Sequence, residues 1–187
     1  MKKISKYACL IALATTSSLI ISCAGNKRAG DSLSTVSNFH AKQYAGEWHE
    51  VARLPNFFER DVVAAKATYR VQPDGNISVL NEGLKPDGEM TSIQGTAKPV
   101  GNTPEGEAKL EVRFDPFPAS LFAGDYWVLD LNDAHTMAIV GSPNRKFLWL
   151  LAKDPSAQTD DFSAGLKRMQ TQGFDVSQLI VNPKRLK

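Results

Sequence analysis

The chain has 187 residues, 22 Lys and Arg against 20 Asp and Glu, only two cysteines, and 42% hydrophobic residues. So even a balance argues against a nucleic-acid partner, and two cysteines cannot staple a small disulfide scaffold. The length is enough to bury a core of its own.

At the amino terminus Lys2, Lys3 and Lys6 precede an apolar run from Tyr7 to Ile21 that Thr15, Thr16, Ser17 and Ser18 interrupt. The run is too short and too polar for a span of roughly 20 residues, and a basic start with a short apolar centre reads as a signal peptide over residues 1–22. Leu19-Ile20-Ile21-Ser22 followed by Cys23 resembles the lipobox of bacterial lipoproteins. That resemblance implies that Cys23 becomes the first residue after cleavage and carries several acyl chains, more than one being needed for stable attachment. Ala24 after it, where Asp would retain the protein, resembles the signal for export to an outer membrane, with the domain facing the periplasm. The alternative is an ordinary secretory peptide with a leftover thiol. Cys9 leaves with the peptide, so the mature domain has no disulfide. Three lysines leave as well, and 19 basic residues then stand against 20 acidic ones.

Residues 24–37, AGNKRAGDSLSTVS, are small and polar, so residues 23–38 read as an acylated start and a flexible tether. From Phe39, short β-rich runs alternate with turn signals over 46–54, 62–71, 76–84, 89–98, 107–115, 125–132, 135–141 and 146–153. Pro73-Asp74-Gly75 and Pro86-Asp87-Gly88 set a fixed φ and then a positive one, and Asn132-Asp133 and Pro143-Asn144 do similar work. Strands joined this tightly are antiparallel neighbours, and eight in succession can close into an up-and-down barrel without edges.

One helix follows. Thr159 can cap it, Phe162, Leu166 and Met169 form a single apolar stripe, and Gly173 can end it, so it should lie outside the sheet. Residues 174–181 read as a short final strand or extended segment, and 184–187 as a solvated basic tail. The expected fold is all-β, an eight-stranded antiparallel barrel over 39–183 with one external helix.

No catalytic constellation is present. His40, His49 and His135 lack metal-ligand spacing, no cofactor motif occurs, and there is no G-x-S-x-G, P-loop or G-x-G-x-x-G. The period of two instead points Trp48, Glu50 and Ala52, Val63, Ala65, Ala67 and Tyr69, Ile77 and Val79, Ile93, Gly95 and Ala97, and Leu110, Val112 and Phe114 into the barrel. Several of these are small, which leaves room for a ligand.

Residues 44–59, YAGEWHEVARLPNFFE, with the later ATYRVQPDGNISVLN, YWVLDLN and RKFLWLLAKDP, resemble the lipocalins, whose first strand carries Gly-x-Trp, here Gly46-Glu47-Trp48. Together with the lipobox the chain is similar to the bacterial outer-membrane members, to apolipoprotein D and to the plant temperature-induced lipocalins. The resemblance implies that Trp48 packs the closed end under a last-strand cation, Lys153 here where the family has Arg. It also implies that Tyr126, Val128, Ala138, Val140, Phe147, Trp149 and Leu151 face inward, and that Phe57 and Phe58 cap the mouth. Trp149, Tyr126 and Tyr69 are then expected at mid-barrel or mouth, contacting ligand. The implied function is to bind a fatty acid or lysophospholipid, for lipid storage, transport or envelope maintenance. Two rivals stand beside it: a lipocalin-type enzyme using Glu50, Tyr69, Tyr126 or Asp130, and an envelope protein with a filled barrel.

Overall fold

The computed structural model describes residues 33–37, 39–101, 106–115 and 123–186. Residues 1–22, read as a signal peptide, Cys23, most of the expected tether and Lys187 lie outside them. A helical turn α1 (Ala41–Tyr44) leads into β1 (Gly46–Arg53), β2 (Ala64–Val71), β3 (Ile77–Leu84), β4 (Met90–Pro99), β5 (Lys109–Phe114), β6 (Ala123–Leu131), β7 (Met137–Gly141) and β8 (Leu148–Ala152). Then come a 3₁₀ turn (Thr159–Phe162), helix α2 (Ser163–Thr171), a second 3₁₀ turn (Val176–Gln178) and a short β9 (Ile180–Val181).

Each strand pairs antiparallel with the next, and β1 pairs with both β2 and β8, which closes an eight-stranded barrel; β9 adds a ninth strand against β1. The turn residues act through backbone geometry. Gly75 and Gly88 hold φ of +83° and +92°, and Asp74 and Asp87 accept the amides of Asn76 and Glu89 two residues on. Helix α1 and the loops β2–β3, β4–β5 and β6–β7 lie at one end, the floor. The loops β1–β2, β3–β4 and β7–β8 lie at the other end, the mouth, with the end of β5 and the start of β6.

Two apolar clusters follow from the alternation. Trp48, Tyr69, Val79, Leu110, Val128 and Leu151 cluster inside the barrel with their neighbours, while Val51, Leu129, Ile139, Leu150, Phe162 and Met169 pack α2 onto its outside. At that outer contact Gly165 has no room for a side chain: a Cβ there would meet Ile139 Cδ1 at 2.5 Å.

Several expectations are corrected. Classic alternation breaks at two bulges, between Glu50 and Ala52 and between Val128 and Asp130. The extra residue reverses the phase, so Ala52 packs in the outer cluster and Arg53 turns inward beside its partner Trp149. By the same step Asp130 faces α2, bonded to Arg168, and is no lumen acid. Val63 lies just before β2, where Val62 N donates to the Glu59 carbonyl and Val63 N to that of Leu84, the last residue of β3. His135 sits in a turn at φ +53° and not in β7. Gln158, not Thr159, caps the turn before α2, exchanging bonds with Asp161. The tail is packed, not solvated: Leu186 is buried and Arg185 donates to the carbonyls of Asn182 and Ala157, at 2.6 and 3.1 Å.

Candidate functional site

The floor is built from aromatic rings because α1 lays Tyr44 across the barrel bottom. Tyr44 stacks on Trp48 with centroids 4.6 Å apart, and Trp48 Nε1 donates to the Tyr44 carbonyl at 2.8 Å. Lys153 Nζ stands 5.2 Å from the Trp48 ring centre and donates to the carbonyls of Gln43 and Ala45, which α1 leaves open at its end. Burial lowers the Lys153 pKa.

Above the floor, the Tyr44 and Tyr126 hydroxyls lie 2.7 Å apart, and Tyr126 donates to Tyr69 at 2.9 Å. Each hydroxyl has one proton, so Tyr44 donates to Tyr126. Burial raises the pKa of all three, which keeps them protonated donors. This corrects their expected place: Tyr69 is opposite Gly46 at the start of β1, so it and Tyr126 belong to the floor, not the mouth.

The upper lumen differs. Ala65, Ala67, Asn81, Ile93, Phe114 and Trp149 face inward by register, yet each keeps some accessible surface. In a closed barrel an inward side chain can be reached only from within, so this half of the lumen is not filled by protein. Leu110, Val112, Val128 and Val140 are buried and form its packed wall toward the floor. Asn81, opposite Ala67 and Ile93, has a buried Oδ1 with no hydrogen-bond partner among the described residues.

At the mouth, Trp149 stacks on Phe147 at 5.8 Å and meets Phe58 at 6.3 Å; Phe58 also reaches Phe147, and Phe57 meets Phe58 edge-on. Just below is a charged group that periodicity did not reveal. Arg53 Nη1 donates to Glu50 Oε1 and Asn182 Oδ1, both at 2.8 Å, and Nη2 donates to the carbonyls of Glu59 and Val62 at 2.7 and 2.9 Å. Trp149 Nε1 donates to Glu59 Oε2 at 3.0 Å. Arg53 thereby fastens both ends of the loop that carries Phe57 and Phe58. Burial, then the Glu59 charge, push the Glu50 carboxyl up to about 8 against the opposing pull of Arg53 and Asn182. Alternation had turned Glu50 inward; the one further signal was an arginine inside the apolar run VARL, and Asn182 gave none.

An aromatic-floored closed barrel with an open upper lumen has close counterparts. A family model described as a lipocalin-like domain matches residues 39–184. The chain is a lipocalin. Temperature-induced lipocalin-1 of Arabidopsis thaliana is 33% identical over 81% of this chain and 83% of its own length. The outer membrane lipoprotein Blc of Escherichia coli K12 is 33% identical over 91% of this chain and 93% of its own, and apolipoprotein D of Mus musculus 32% over 76% and 75%. Among solved structures, insecticyanin from the tobacco hornworm Manduca sexta superposes with a TM-score of 0.63 at 22% identity, covering 80% of this chain and 83% of that one. At that identity the likeness concerns the fold. In this lipocalin the Gly-x-Trp glycine, Gly46, holds φ +116°, a conformation that a side chain would strain, and it directs the chain from α1 into β1.

Proposed function

We propose that this lipocalin is a lipid-anchored protein of the bacterial outer membrane that holds one hydrophobic or amphipathic ligand, a fatty acid or lysophospholipid, in the upper lumen. The observation that carries this reading is the partial exposure of inward-facing Ala65, Ala67, Phe114 and Trp149 above a sealed floor. The acyl chain lies along Ala65, Ala67, Leu110, Val112, Phe114, Val128 and Val140, under Trp149 and the Phe57–Phe58 loop. Tyr69 and Tyr126 close its deep end, and Asn81, whose Oδ1 has no partner among the described residues, offers a polar contact. Burial contributes about 0.8 kcal/mol per methylene before losses, enough for micromolar affinity with few polar contacts.

The anchor is Cys23, acylated after removal of residues 1–22. Relatives named outer membrane lipoproteins, similar over nine tenths of this chain, support that placement. The role is carriage or storage of membrane-derived lipid and envelope maintenance, by binding and not by catalysis.

A fluorescent fatty acid titrated into delipidated protein tests the binding. Saturable, displaceable signal at micromolar concentrations, weakened about tenfold in Trp149→Ala, is expected; absence of displaceable signal overturns the reading.

A further inference from the structure

The strands turn Glu50, Arg53, Tyr69, Asn81, Thr91 and Tyr126 toward the lumen. Five of these side chains are held by the protein itself. Glu50 and Arg53 pair beside the mouth, Thr91 Oγ1 donates to the Gly83 carbonyl at 3.2 Å, and Tyr126 donates to Tyr69 at 2.9 Å. The Asn81 carboxamide makes no hydrogen bond to any described residue, and its Oδ1 is buried. A buried polar atom without a partner costs stability, which an apolar side chain of similar size would not. The barrel therefore gains nothing from Asn81 by itself, and a molecule in the lumen can supply the missing partner.

The surroundings of Asn81 say what that molecule offers. Ala67 and Ile93 stand opposite it on the two neighbouring strands, and Val79 and Gly83 precede and follow it on the same face of β3, so its flanks are apolar. An ionised carboxylate or phosphate at this point would exchange its hydration for one neutral amide, because the inward charges Glu50 and Arg53 are already paired. A carbonyl or ester oxygen accepts, and has no proton to give Oδ1. A hydroxyl does both: it donates to Oδ1, and it accepts from Nδ2 when the carboxamide turns over. On β3, Asn81 lies three residues below Leu84 at the mouth end, about 10 Å along the strand. With the charged end of an amphipathic ligand kept at the mouth, this places the hydroxyl part-way down the acyl chain. A glycerol hydroxyl, next to its own headgroup, stays nearer the mouth.

We infer that Asn81 makes the lumen selective for an acyl chain that carries a hydroxyl between its ends, over the plain chain of the same length. The inference rests on the reading of the lumen as a lipid site and narrows its ligand class. A plain methylene chain passing Asn81 takes water from the carboxamide and returns no hydrogen bond, whereas a hydroxylated chain restores it.

Oleic and ricinoleic acids, which differ by one mid-chain hydroxyl, test this by competing with the fluorescent fatty acid on the delipidated full chain. The wild type is expected to bind ricinoleate about tenfold more tightly than oleate. In Asn81→Leu that ratio should fall to near one, and Asn81→Ser, which can still donate and accept, should keep part of it. Equal affinity of the wild type for the two acids, or a ratio that Asn81→Leu leaves unchanged, overturns the inference while the lumen remains a lipid site. The wild-type comparison decides without any variant. Failure of both acids to displace the probe overturns the lumen reading, and the inference falls with it.

Discussion

Arg53 Nη1 lies 2.8 Å from Glu50 Oε1, and the two side chains are buried together on the inner wall of the barrel. The partner does not make Glu50 an ordinary carboxylate, because the loss of solvation outweighs it and lifts the carboxyl to about 8. An unfolded glutamate titrates near 4.5. Between those values the folded state binds the proton that the unfolded chain has released, so this group lowers stability as pH rises from about 4.5 to about 8, and no further above that. Glu50→Gln, which resembles the protonated acid, should flatten that decline and be the more stable protein at pH 8.5. Urea unfolding of both proteins across this range checks it; parallel curves would refute it.

Arg53 satisfies four acceptors with one planar group, two of them loop carbonyls. Arg53→Met leaves Glu50, Asn182 and both loop carbonyls without their donor, and should cost about 3–5 kcal/mol in urea unfolding. Arg53→Lys should recover less than half of that, since one ammonium cannot reach a fork of four partners.

Tyr126 is the middle of the hydroxyl chain, so Tyr126→Phe breaks two bonds and leaves Tyr44 and Tyr69 buried without it. A loss of about 1–3 kcal/mol is expected. Tyr69→Phe removes only the terminal acceptor and should cost less, and thermal unfolding of the two variants gives the order.

Lys153 sits on Trp48 and ties off two carbonyls of the floor helix. Lys153→Ala should lower stability by about 1–2 kcal/mol. Lys153→Arg should equal or exceed the wild type, because a guanidinium keeps the carbonyl bonds and adds stacking on the indole. Chemical denaturation ranks the three, and an arginine variant weaker than the alanine one contradicts this account.

Part of the barrel's interior was legible in the sequence, Trp48 on the floor and the small residues above it. Gly46-x-Trp48 and the small-residue strand Ala65, Ala67 depend on local alternation, and a period of two fixes the face wherever pairing is regular. The Tyr44–Tyr126–Tyr69 chain was not, since three tyrosines spaced 25 and 57 residues apart give no signal until closure brings their hydroxyls together.

The sequence by itself determined the strand order, the tight turns and the external helix, because these follow from nearest-neighbour periodicity and from backbone preferences at Pro, Asp and Gly. Tertiary structure alone decided what surrounds Glu50, the one charge that alternation had already turned into the lumen. A bulge sets one extra residue in β1 against the distant β8 and another in β6 against the next strand β7, and each reverses every side chain beyond it. That reversal carried Arg53 into the interior and Asp130 out to Arg168. It also opened the wall at which Asn182, 132 residues from Glu50, completes the buried group.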